Sequence, residues 1–566
     1  MKTALRIMLP VILLLSTLTV SYGQHTMYLS TPTTATYLND IIVGDTTATG
    51  ERQDTERVYV LQRGGTWFWN NTVTNNGWAI NIQAEDGTGD RPKVYSMPTP
   101  GTTSVPYNLV SVAGDVIVKN CMFSGHYDED STFINTYGAT YILFRGETAG
   151  NFRIELVGNL FMNTQQAIAS TFSAIHAAIF KDNVIINDGI AQLAGAGNGR
   201  VIDTRNVSID SLIFINNTVM YGFDRVVRHK SSVGRLNNFV FDHNTVYEHG
   251  GRYGFLALGA VGNKVQITNN LLVDPMASGC DTNSQRQSDF KEMNEFDANG
   301  KVKMAWIYHA PVTSDTLGGV SVNTEWKISN NYWHITPEMA AMYATCISNG
   351  WNPTIATVRT LSESIKSKID TTKAFYNLDD FSFTKVPAPF DGTMLWLTKP
   401  TSEGGTNGGS SGGTFVPYET YPMSYFGAGT SNLNCAYSTS SAAYTGAENS
   451  LPAGDLNWFP SKKTDWENNT DVNEFSVIPS AFSLEQNYPN PFNPTTKITY
   501  SIPKESKVSL EVFNVLGQKV ATLVNNSQAA GSYSVNFNAS KLSSGLYIYR
   551  LVTSEFTTSR KMMLMK

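Results

Sequence analysis

The sequence predicts an all-β chain, a long parallel β-helix followed by a small β-sandwich. A short pattern with one Asn in register recurs seven times through its middle, and the composition changes from Leu484 onward to short alternating strands. Only 16% of the 566 residues are charged, below the roughly 25% of ordinary domains, so the chain is polar through Asn, Ser, Thr and Gly. With 41% hydrophobic residues, 45 Gly and 22 Pro, charge-driven disorder and a collagen repeat are both excluded. The length calls for more than one domain.

The chain opens with Lys2 and Arg6, an apolar run from Ile7 to Val20, and then Ser21-Tyr22-Gly23. A positive start, a short apolar core and small residues before the junction describe a secretory signal peptide over 1–23. The run is interrupted by Pro10, Ser16, Thr17 and Thr19 and is too short to span a bilayer, so a transmembrane protein is not expected. Lys+Arg 41 against Asp+Glu 47 gives −6, and loss of Lys2 and Arg6 leaves 39 against 47, or −8. That balance argues against nucleic acid as a partner. Residues 24–56 are expected to cap the open end of the solenoid.

The repeat reads IVKNCMF, LVGNLFM, FKDNVII, FINNTVM, FDHNTVY, ITNNLLV and ISNNYWH, which places Asn120, Asn159, Asn183, Asn217, Asn244, Asn270 and Asn331 in one column. Apolar residues stand three before it, from Ile117 and Leu156 to Ile328, and two after it, from Met122 and Phe161 to Trp333. These columns are an odd number of residues apart, so a continuous strand would put them on opposite faces. Both point inward only if the chain bends between them, and Asn enters the left-handed region cheaply. Strand, Asn bend and strand make one coil of a parallel β-helix. Coils are expected from about Val58, within a solenoid spanning 57–466. The segments 281–321, 337–370 and 404–414 interrupt the pattern as a polar insertion, one or two helices and a Gly-rich loop.

Over roughly Arg57 to Trp466 this organisation resembles the secreted right-handed β-helix proteins of the pectate-lyase-like superfamily. YVLQRGGTW near the start and GDLNWFPSKKTDW near the end are similar to the flanks of one bacterial subgroup. The resemblance implies polysaccharide as a partner, with lyases, hydrolases and non-catalytic adhesins among the relatives. The four cysteines, Cys121, Cys280, Cys346 and Cys435, form no metal-binding pair; Cys121 is expected as a buried free thiol, and a Cys280–Cys346 bridge is conceivable.

After a polar linker at 467–483, residues 484–566 read as strands KVSLEVFN, KVATLV, GSYSVNF, LYIYRLVT and TTSRKMMLM separated by turn residues. Tyr488-Pro489-Asn490-Pro491-Phe492-Asn493-Pro494, Leu516-Gly517-Gln518, Gly545-Leu546-Tyr547 and Lys561-Met562-Met563 closely resemble the type A sorting domain of type IX secretion, an immunoglobulin-like sandwich. The resemblance implies the type IX secretion machinery as a partner and an extracellular or outer-surface location.

Candidate chemistry concentrates in Asp224-Arg225-Val226-Val227-Arg228-His229-Lys230 and Glu248-His249-Gly250-Gly251-Arg252. Arg225 and Arg252 share the offset +8 from their column Asn, which predicts two stacked guanidinium groups with Arg228, Lys230 and His249 nearby. A lyase needs such cations against a uronate carboxylate and a base to take the adjacent proton, so β-elimination by these residues is one expectation. A solvated ladder neutralised by Asp224 and Glu248 is the other. No cofactor is certain, though Ca2+ could be held by Asp128 and Asp130 in the acidic turn after the first column. Hydrolase-type paired carboxylates are not apparent, since Asp224, Asp242 and Asp274 stand singly. Trp67, Phe68, Trp69, Tyr332, Trp333 and Trp351 are possible sugar-stacking platforms.

Overall fold

A computed structural model describes residues 20–22, 25–32, 36–125, 127, 140, 142–186, 188, 199–222, 224–230, 234–249, 254–275, 295, 298, 303, 305–309, 316–317, 320–321, 324–348, 359–386, 433–469, 482–484, 486–487, 489–502, 506–528 and 531–565. Three sheets of 11, 10 and 9 strands run the length of the solenoid, and apart from the opening pair Val20–Tyr22 and Thr26–Leu29 their strands are all parallel. Each coil visits the first, second and third sheet in turn, as in Ile175–Lys181, Val184–Ile186 and Arg200–Arg205. The three inner faces enclose one apolar column, in which Phe180 stacks on Phe214 at 4.4 Å and Phe214 meets Phe241 at 5.7 Å. A parallel β-helix is therefore the architecture, with its first complete coil starting at Val58–Leu61.

The bend lies one residue earlier than the repeat alignment places it. Gly158, Asp182, Asn216, His243, Asn269 and Asn330 hold the left-handed conformation, each directly before a column Asn. The column Asn instead forms a side-chain ladder. Its amide oxygen accepts from the main-chain N of the residue in register on the preceding coil: Cys121 to Asn159, Asn159 to Asn183, Asn183 to Asn217 and Asn217 to Asn244, all at 3.0 Å. The ladder continues from Asn244 to Asn270 and from Asn270 to Asn331. Asn120 does not belong to it. Met122 pairs with Leu160 and Val118 with Leu156, which puts Cys121 in the ladder column and Asn120 at the bend, with φ 58°. The inward residues of that coil are accordingly Val118 and Phe123, in place of Ile117 and Met122.

The other expectations divide. The cap segment contributes Thr26–Leu29 to the first sheet, and helix α1 (Leu38–Gly44) packs Leu38 and Ile42 over the open end. Ala305–His309, inside the presumed polar insertion, is a buried strand of the third sheet. Helix α2 (Pro337–Ser348) and the short helix α3 (Glu363–Lys366) form as expected, but Arg359–Leu361 between them is another third-sheet strand. Residues 404–414, Cys280 and Trp351 lie outside the described residues, as does the Cys346 side chain. Cys121 is a buried free thiol.

The flank ending in GDLNWFPSKKTDW does not coil. Residues 433–469 form a strap over the outside of the second sheet, burying Leu433, Cys435, Leu451, Leu456, Phe459 and Trp466 against Met122, Leu160, Met220 and Leu271. It crosses successive coils: Glu448 bonds Lys327 (2.8 Å), Asp455 accepts from Thr218 Oγ1 (2.8 Å), and Lys463 bonds Asp182 (2.9 Å). Its last element, helix α4 (Pro460–Asn469), runs into the stretch read as linker; 470–481 lie outside the described residues.

The C-terminal unit has three strands in one sheet (Ser483–Leu484, Thr495–Ile502, Gly531–Asn538) and four in the other (Ser506–Asn514, Lys519–Gln528, Gly545–Val552, Thr557–Leu564), all antiparallel. Alternation buries Ile498, Tyr500, Val508, Leu510, Val512, Tyr549, Leu551 and Met562 in a core of its own.

Candidate functional site

Two of the sequence-predicted cations, Arg225 and Arg228, lie on one strand of the third sheet, Arg225–Lys230. Arg200–Arg205 lies beside Arg225–Lys230, with Arg200 opposite Arg225, Asp203 opposite Arg228 and Arg205 opposite Lys230. The register partner of Arg225 on the preceding coil is thus Arg200. Arg252 lies outside the described residues, and so do Asp128, Asp130 and the Lys230 side chain. On the following coil Val227 faces Leu256, so the shared +8 offset does not translate into register. The turns after the second sheet differ in length, and counting from the Asn is lost across them.

The cluster is buried, contrary to a solvated ladder. Arg200 spans two carboxylates, with Nε 2.6 Å from Asp224 Oδ2 and Nη1 2.6 Å from Asp203 Oδ2. Asp203 also holds Arg205 Nε at 2.9 Å and Arg228 Nη1 at 3.2 Å, while Arg225 Nε lies 3.2 Å from Asp224 Oδ1. Asp203, Asp224, Arg200 and Arg225 are each at most 2% exposed. Burial pushes both carboxyls upward, but the surrounding guanidinium charges outweigh it and hold them below the usual carboxylate range. Burial, reinforced by the charge of Arg200, lowers the Arg228 pKa. Among the described residues, four guanidinium groups surround two ionised carboxylates. The third nearby carboxyl, Asp188, bonded by Thr164 Oγ1, is raised well above its ordinary value by burial.

His249 is buried one coil beyond Gly222, and a Cβ on Gly222 would collide with its Nε2. Burial holds His249 down to about 4, so it is neutral near pH 7. His229 is likewise held to about 4 and bonds Thr204 and the Gly234 carbonyl. Arg200, Asp203 and Asp188 were not singled out from sequence, although RVID at 200–203 is visibly parallel to RVVR at 225–228.

The aromatic platforms divide. Trp67 and Trp69 are fully buried core residues, and Tyr332 is buried and stacked on Tyr376 at 5.2 Å. Phe68 and Trp333 are half-buried, packed edge-on against Tyr127 and Trp306. Among the described residues no group of three His, Cys, Asp or Glu side chains is placed to hold a metal, and no helix is long and apolar enough to cross a membrane.

Residues 486–565 match the secretion system C-terminal sorting domain. No curated protein and no solved structure matches the chain. The matched stretch coincides with the antiparallel sandwich, whose core is formed wholly within 484–564. The chain is a parallel β-helix protein carrying a type IX sorting domain, exported to the cell surface or the extracellular space.

Proposed function

We propose that the exported solenoid binds acidic polysaccharide and does not cleave it. The observation that carries this reading is the state of the candidate catalytic cations: Arg225 and Arg228 are buried and already held by Asp224 and Asp203. A lyase needs its cation free to meet a substrate carboxylate as charge develops. A guanidinium cluster fixed beneath a sheet face instead attracts a polyanion without reacting with it. The resemblance to pectate-lyase-like proteins supports a polysaccharide as that polyanion, and the leader over 1–23 supplies the first step of export.

Elimination is the second reading, favoured by a neutral His249 able to accept a proton beside the arginine cluster. Incubation with pectate, alginate and glycosaminoglycans, with and without Ca2+, separates the two through the ultraviolet absorbance of the unsaturated uronate. Binding without product is expected. Product that disappears in His249→Ala would establish the lyase reading and overturn ours.

A further inference from the structure

We propose that the polysaccharide lies on the outer face of the third sheet, along a ladder of alternating rings and guanidinium groups formed by Tyr107, Arg145, Phe172 and Arg205; this rests on the acidic-polysaccharide reading above. The four residues come from four successive coils. Asn108 pairs with Ile142, so Tyr107 enters the strand beside the one carrying Arg145. Arg145 pairs with Ser111 and Ser170, and Thr171 pairs with Thr204, so Phe172 stands opposite Arg205 and the ladder crosses the strands obliquely, with the Arg145 side chain reaching from one ring to the other. The Arg145 guanidinium carbon lies 5.0 Å from the Tyr107 ring and 4.8 Å from Phe172, and that of Arg205 lies 5.2 Å from Phe172. Three successive contacts of close to 5 Å link the four side chains into one continuous surface.

Its chemistry suits an acidic glycan. Tyr107 is 45% exposed, a ring on which the apolar face of a sugar can stack. The side chains of Arg145 and Arg205 are 24% and 37% exposed, and each packs against a ring while its planar fork suits carboxylate recognition. Among the described residues, Arg145 pairs with Glu147 at 2.8 Å. Arg205 shares Asp203 with Arg200 and Arg228, so it is the rim member of the positively charged cluster and carries that charge to solvent. Cation–aromatic contacts of this kind are worth about 0.5–1 kcal/mol at exposed sites.

Titration of the full chain with an oligogalacturonate, a neutral oligosaccharide of equal length and a single-stranded oligonucleotide tests the proposal by calorimetry. The wild type is expected to bind the oligogalacturonate with an affinity that falls with salt, and Arg145→Gln with Arg205→Gln to weaken it at least about tenfold. Lys119→Gln, on the first sheet in a pair with Glu155, is expected to leave affinity unchanged. Tyr107→Ala removes a largely exposed ring outside the core and serves should the double variant lose its folded circular dichroism spectrum; it is expected to weaken binding as well. Wild-type binding that both ladder variants retain would overturn the ladder and leave the polysaccharide reading intact. No binding by the wild type would overturn both. Equal binding of the oligonucleotide would replace the glycan with polyanions in general.

Discussion

Replacing Asn217 by Ala tests the side-chain ladder at its centre. The Asn217 amide oxygen accepts from Asn183 N and from Asn183 Nδ2, both at 3.0 Å, and its Nδ2 donates to the Phe180 carbonyl at 2.9 Å and to Asn244 Oδ1 at 2.9 Å. Asn217 and Asn183 are fully buried, so water cannot replace these partners. Truncation strips bonds from the Asn183 N–H and the Phe180 carbonyl, at about 1–3 kcal/mol each, for a loss of roughly 2–6 kcal/mol. Asn120→Gly is the matched comparison. Asn already holds the left-handed backbone at little cost, so glycine gains little there and loses about 0.5–1 kcal/mol to chain entropy, and the net change should stay within about 1 kcal/mol. Urea unfolding followed by tryptophan fluorescence reads both, as a fall in midpoint at constant slope for Asn217→Ala and almost none for Asn120→Gly. Equal losses would show that the bend and the ladder have been assigned to the wrong columns.

Arg200→Met should cost about 3–5 kcal/mol by the same unfolding measurement, because it leaves Asp203 and Asp224 without their closest buried partner. A loss under about 1 kcal/mol, the value of exposed pairs, would mean the cluster is solvated. The strap should loosen as pH rises. Burial raises Asp455 to about 7, against bonds from Asn457 N and Thr218, so its contribution is present below the unfolded carboxyl range and is lost as pH climbs through 7. Limited proteolysis within 433–469 should therefore be faster at pH 8 than at pH 5, and Asp455→Asn should remove the difference; a pH-independent wild type would contradict the sign. Deleting residues 484–566 should leave the solenoid's unfolding midpoint unchanged, since the sandwich core is its own, while the protein stays in the periplasm of its native host. Normal surface levels of the truncated chain would refute the sorting role.

The fold was legible because its signals are periodic. Apolar columns around an Asn predicted the coils, and alternating strands between turn residues predicted the sandwich. The register of the first repeat was not legible: Asn120 and Asn159 look equivalent in sequence, and only pairing of Met122 with Leu160 shows that Cys121 is the true counterpart. Isolated third-sheet strands such as Ala305–His309 were hidden because their neighbours in sequence are polar and only coil stacking buries them. The same reason hid the strap, whose apolar residues are too widely spaced to read as a strand or helix. At the candidate site Arg225, Arg228 and His249 were found by charge density. Their burial and their partners Arg200 and Asp203 depend on register across turns of unequal length, which offsets within one coil do not carry.

Affinity electrophoresis of the full chain in gels containing a polyuronate, a neutral glucan or no polymer tests the central claim most directly. Retardation in the polyuronate gel alone, relieved by added salt, is the predicted result. Equal mobility in all three gels would contradict it.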